Sequence, residues 1–155
     1  MRTSQIPFVL DTLVDIIRVS LASAHPDVDV LDGPEVTADP QPRVVCVGWD
    51  GDDEGDGQAV EWDQQWNGLG AKAKQELITV TCVVICRSGG DDLRAVRQDA
   101  FALFGAIETG LRGDVSIGLP PPGVATVAQG RLHQECNADG VEVRLPFTVG
   151  VQARI

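Results

Sequence analysis

The chain has 155 residues, 43% of them hydrophobic, and a formal net charge of -11 at pH 7. That length suits one domain, residues 1–155, with a buried core, and a mean hydropathy of +0.02 sets it apart from disordered chains. The acidic balance argues against a phosphate-backbone binder, which needs a Lys/Arg surface, and no apolar run approaches the ~20 residues that cross a bilayer.

The first predicted element is a helix over residues 6–24, where Leu10, Leu13, Val14, Ile17 and Leu21 recur at three- and four-residue intervals. Pro7 suits its first turn, Ser4 or Thr3 would cap it, and His25-Pro26 ends it because a residue before proline is pushed out of the helical region. Asp11, Asp15 and Arg18 interrupt this segment and no small-residue cleavage site follows, so a signal peptide is not expected and the chain is expected to stay in a cytoplasm until assembled. A short strand is expected at 28–31, closed by Asp32-Gly33-Pro34, and a loop over 34–42 with its three prolines. RVVCVGW, from Arg43 to Trp49, reads as a buried strand and is followed by the acidic glycine-rich loop Asp50 to Gly57. Residues 59–66 fit a strand or a loop equally.

Glu76 to Arg87 reads as the central strand: Ile78, Val80, Cys82, Val84 and Cys86 share one face, Leu77, Val83 and Ile85 the other. Apolar residues on both faces require both to be at least partly covered. Ser88-Gly89-Gly90-Asp91 then turns the chain and caps a helix over 92–111, with Leu93, Val96, Ala100, Leu103, Ile107 and Leu111 as its stripe. Two long strands follow, about 124–137 and 141–155, joined at Asn137-Ala138-Asp139-Gly140, a hairpin signal. The last of them alternates to its final residue: Val141, Val143, Leu145, Phe147, Val149, Val151, Ala153 and Ile155 point one way, and Glu142, Arg144, Thr148, Gln152 and Arg154 the other. A chain end inside such a pattern must be pinned. The order α-β-β-β-α-β-β predicts an α+β fold: two helices packed on a largely antiparallel mixed β-sheet, with a long C-terminal hairpin.

Residues that would carry chemistry are few. Asp50, Asp52, Glu54, Asp56 and Glu61, with Gly55 as the turn glycine, match the ligand spacing of a calcium loop. The competing reading, a solvated acidic hairpin tip, is favoured by the strand that leads into the loop, by Glu at the third ligand position and by Gly57 where an aliphatic residue usually sits. Gly68-Leu69-Gly70-Ala71-Lys72 lacks the spacing of a phosphate loop. His25 and His133 have no serine elbow or metal-binding partner motif, and there is no tyrosine, so no enzyme is expected. Cys82 and Cys86, ~13 Å apart along one strand face, are too far for a disulfide, and with no CxxC pair all four cysteines read as buried reduced thiols. No cofactor is expected beyond the calcium alternative. Trp49, Trp62 and Trp66 flank the acidic loop, either as packing at the base of a hairpin or as interface anchors.

Three stretches together resemble a known family: WNGLGAKAKQELITVTCVV (66–84), SGGDDLRAVRQDAFALFGAIE (88–108) and the closing RLPFTVGVQARI (144–155). They are similar to the tail terminator, or tail-completion, proteins of long-tailed phages and prophages, especially those of actinobacterial hosts, and the similarity runs from the first helix to Ile155. The resemblance implies a non-enzymatic virion protein: a ring, typically a hexamer, at the head-proximal end of the tail. It would cap the tail tube protein, meet the head-side connector, and let DNA pass through its lumen without specific binding. No membrane partner is implied. Loops between strands would reach neighbours, which singles out Trp49, Trp62, Trp66, Leu69, Lys72 and Lys74 as interface candidates. A strongly acidic ring would repel passing DNA. Two other readings stand beside it: a head-completion or neck connector protein, and a calcium-binding module using the 50–61 loop.

Overall fold

In chain order the elements are α1 (Ile6–Ala22), β1 (Asp29–Asp32), β2 (Arg43–Val47), β3 (Val60–Trp66), β4 (Lys74–Ser88), α2 (Leu93–Gly113), β5 (Val124–Gly130), β6 (His133–Asn137) and β7 (Gly140–Arg154). The computed structural model describes residues 2–155 with the exception of Leu69 and Ala71. Two antiparallel strands of 15 residues, β4 and β7, pair along their whole length and form the spine of the sheet. Each spine strand is flanked by an edge in two pieces. β2 and β3 both pair with β4, and β5 and β6 both pair with β7. β1 adds outside β2 in a parallel pairing; among the described residues the other pairings are antiparallel. The α+β fold with helices on one face and a C-terminal hairpin is therefore the architecture observed.

The alternation of β7 sets the main core. Val141, Val143, Leu145, Phe147, Val149, Val151 and Ala153 are all buried beneath the helices, beside Ile78, Val80, Cys82, Val84 and Cys86 of β4. The stripes of α1 and α2 close this face with Val9, Leu13, Val14, Ile17, Leu21, Val96, Ala100, Leu103, Ile107 and Leu111. Each of the Val, Leu, Ile and Phe side chains among these, taken fully out of water, contributes about 1.5–3 kcal/mol. The chain end is pinned as alternation required: Lys74 and Ile155 exchange both backbone hydrogen bonds, at 2.7 and 3.0 Å.

The opposite face carries a second, smaller cluster of Val44, Cys46, Trp49, Val83 and Ile85. Loops cover it instead of helices. Arg87 donates to Glu35 (2.9 Å), to the carbonyl of Gln41 (2.9 Å) and to Glu142 (3.0 Å), which fastens the 33–42 loop to the sheet. The acidic loop crosses the same face at Gly51, whose φ of +82° favours glycine. A Cβ there would lie 2.7 Å from Cδ of Arg144.

Several boundaries differ from the sequence-based expectation. The 59–66 stretch is a strand, β3. The acidic loop is not a hairpin tip, because β2 and β3 pair with β4 and not with each other. The loop leaves and returns at Thr81, whose carbonyl accepts from Gly48 and Trp49 and whose N–H donates to Ala59. The single strand expected over 124–137 is two. The break lies opposite Pro146, which has no N–H to give, and a bulge between Val127 and Gln129 precedes it. The cap of α2 is Asp92 and not Asp91; its side chain accepts from the N–H of Ala95 at 3.1 Å. Gln5 occupies the cap position of α1 without a side-chain bond. Ser4 Oγ instead accepts from Ile6, and the wholly buried Glu76 reaches across from β4 to accept from the N–H of Gln5 at 2.8 Å. That carboxylate sits where a helix start presents unpaired N–H groups. Among the cysteines, Cys46, Cys82 and Cys86 are buried, but Cys136 is exposed, because β6 is an uncovered edge.

Candidate functional site

The three tryptophans separate into two roles. Trp49 is 6% exposed and closes the second cluster, so its indole serves the fold and is not presented to a partner. Trp62 and Trp66 are 58% and 67% exposed on β3. In an antiparallel pair, residues directly opposite share a face. Trp62 stands opposite Ile78 and Trp66 opposite Lys74, so both indoles lie on the helix-bearing face, beyond the helices' reach. The Lys74 ammonium lies 5.0 Å from the Trp66 ring centroid, within cation–π range. Lys72 is exposed nearby. Leu69 lies outside the described residues. Gln64 ties this strand to α1, donating to the Thr3 carbonyl and to Glu76, both at 2.9 Å.

The far edge of the same sheet carries a second apolar surface, which sequence patterning did not single out. Phe101, Phe104, Val127, Leu132 and Leu145 line a groove of about 370 Å³ between α2 and the break in the β5–β6 edge. Phe101 is 46% and Leu132 42% exposed. Phe104 links the groove to the core, edge-to-face with Phe147 at 5.2 Å. The available signal was position: Phe101 falls one residue off the buried stripe of α2, and Leu132 stands alone between Arg131 and His133.

The acidic loop has its own arrangement. Asp50, Asp52 and Asp56 each accept the N–H two residues ahead, from Asp52, Glu54 and Gln58, at 2.9, 3.0 and 3.0 Å. These bonds shape the turns. Glu61 is on β3 opposite Thr79. Among the described residues no three His, Cys, Asp or Glu side chains converge as a metal would require. Across the open face from this loop stand Arg131, His133 and Arg144, and the groove between them is about 600 Å³.

The remaining polar clusters hold elements together. Arg43 donates to Asp27 (2.7 Å), Asp99 (2.8 Å) and Nδ1 of His25 (2.8 Å), which joins β2 to α2 and to the loop that follows α1. The hydrogen bond from Arg43 holds the Asp27 carboxyl below the usual carboxylate range. Burial disfavours the Arg43 cation, but Asp27 and Asp99 outweigh it and its pKa is raised. Burial pushes the thiols of Cys46, Cys82 and Cys86 up to about 12, so none of the three is a prepared nucleophile. No helix of the described residues is long and apolar enough to cross a membrane.

No protein-family model matches the chain, and no curated protein matches it in sequence. Among solved structures it is similar to a chain of a structure described as the virion of a native gene transfer agent particle, at a TM-score of 0.50 and 12% identity. The match covers 98% of this chain and 100% of that one, so the likeness in fold spans nearly the full length of both.

Proposed function

We propose that this chain is a non-enzymatic structural subunit of a phage-like virion, and within it a tail terminator. In this reading copies of the chain form a ring, a hexamer, at the head-proximal end of the tail. The ring stops polymerisation of the tail tube protein and presents its other side to the head-side connector, after assembly in the host cytoplasm. The observation that carries the reading is the end-to-end likeness of fold to a chain of a gene transfer agent virion. The resemblance of the 66–84, 88–108 and 144–155 stretches to tail terminators supports the finer assignment. The two exposed apolar surfaces on opposite sheet edges fit a subunit whose product is contact with other subunits. A net charge of -11 per chain suits a lumen that DNA traverses without being held.

Deleting the gene from its particle tests this directly: over-long or headless tails are expected, and head-joined tails of normal length would overturn it. A head-completion or neck protein shares the coarser assignment. Electron microscopy of particles carrying a labelled subunit separates the two, with label at the tube end for a terminator and inside the head-side neck for the alternative.

A further inference from the structure

The two apolar surfaces are complementary in more than character. β3 and β5 are the opposite edges of one half of the sheet, each is 7 residues long, and among the described residues each pairs on one side only. Following the antiparallel pairings from β3 through β4 and β7 to β5, the two edges run in opposite directions. Copies placed head to tail with the same orientation therefore bring β3 of one beside β5 of the next as an antiparallel pair. The exposed surfaces at both edges lie on the helix-bearing side. Trp62 and Trp66 extend past the helices at one edge. The groove of Phe101, Phe104, Val127 and Leu132 opens beside α2 at the other.

Charge is complementary as well. Between Val44 and Ala71 the chain has seven carboxylates and no lysine or arginine, and two of the seven, Glu61 and Asp63, are on β3. Between Val115 and Gln134 it has no carboxylate, and Arg131 and His133 stand at the β5–β6 edge, where on the loop-bearing face they also look across a groove at Asp50, Asp52 and Asp56 of their own chain. A chain so acidic overall has its carboxylate-free stretch where a neighbour's acidic edge would arrive. The opposite arrangement, like edge on like edge, sets acid against acid and leaves the aromatic groove empty.

We infer that a second copy of this chain occupies the Phe101–Leu132 groove, inserting Trp62 and Trp66 from its β3 edge, so that the sheet continues from one copy to the next with the copies staggered along the strands, since level copies would set Trp62 beside Ala125. The contact is head-to-tail, the kind that closes into a ring when the rotation between copies allows it. It rests on the ring reading above and names the surfaces that make the ring. Pairing also covers edges that would otherwise invite aggregation, and tryptophan seated in an apolar pocket is the usual anchor of such contacts.

Two double variants, each blocking one edge, test it: Trp62→Glu with Trp66→Glu, and Phe101→Glu with Leu132→Glu. Their masses in solution are read by light scattering on eluting peaks, alongside wild type and a Val19→Glu, Val36→Glu control that adds equal charge at other exposed sites. All four substituted edge positions are exposed side chains, and circular dichroism checks that each variant stays folded. Wild type and control are expected to assemble and each edge variant alone to remain a single chain. A 1:1 mixture of the edge variants is expected to form a dimer and stop there, since one intact contact remains. Edge variants that assemble like wild type, a mixture that stays monomeric, a control that fails like the edge variants, or a wild type that never assembles would each overturn the contact. Rings that persist in both edge variants would leave the terminator reading standing, whereas normal tails without the gene would remove that reading whatever the edges do.

Discussion

The two faces of the sheet are built from the same alternating strands and are covered in different ways. On one, two amphipathic helices lay 17 and 21 residues against the spine, and the core is continuous from Val9 to Ala153. On the other, loops shield only the half of the sheet around Val83 and Ile85. They are held by side-chain bonds from Arg87 and by the backbone bonds that Gly48, Trp49 and Ala59 make with Thr81. The helix-bearing face is a matter of packed volume, and the loop-bearing face of a few polar fasteners over a small apolar cluster. Helices supply their own backbone hydrogen bonds, so their burial needs only apolar contact. Loops must have their position fixed from outside.

The largest effect should come from the helix-bearing face. Phe147 is 1% exposed and central to the core, and Phe147→Ala should cost about 3–5 kcal/mol in urea unfolding. A loss below ~1 kcal/mol would mean that this face is not the one that holds the fold. Arg87→Gln should cost less, about 2 kcal/mol, because it strands the Glu35 carboxylate, whose side chain is 7% exposed, while Arg87 itself is a quarter exposed. Hydrogen exchange should then quicken in residues 33–42 before it does in α1 or α2. Equal quickening throughout would erase the distinction between the faces. The smallest effect belongs to the acidic loop. With Asp50, Asp52 and Asp56 engaged by backbone N–H groups, millimolar calcium added to chelator-stripped protein should give no saturable heat and leave the melting midpoint unmoved. A saturable heat would instead make the 50–61 loop a cation site.

Much of this architecture was legible in order. The period-two pattern of β7, the stripes of α1 and α2 and the two-faced apolar content of β4 each state a local geometry, and a local geometry leaves a periodic trace. The strand pairing of β3 was not legible, because Glu61, Asp63, Gln64 and Gln65 are polar on an edge that only β4 stabilises. The division of 124–137 was hidden for a similar reason. Its cause, Pro146, sits in another strand and acts across the pairing. The groove at Phe101 and Leu132 escaped because it is assembled from a helix, an edge strand and the break between two strands, three places far apart in the chain.

The tryptophans mark the point at which local pattern stops being informative and tertiary packing takes over. Alternation, capping and turn chemistry set which side chains share a face, since those depend on neighbours within a few residues. Which of three tryptophans within 18 positions would be buried depended on whether a loop or nothing lay above each one. That depended in turn on Thr81, Val83 and Ile85 of β4, residues the local pattern around the tryptophans does not contain. Periodicity fixes direction, but exposure is a property of everything else that packs nearby.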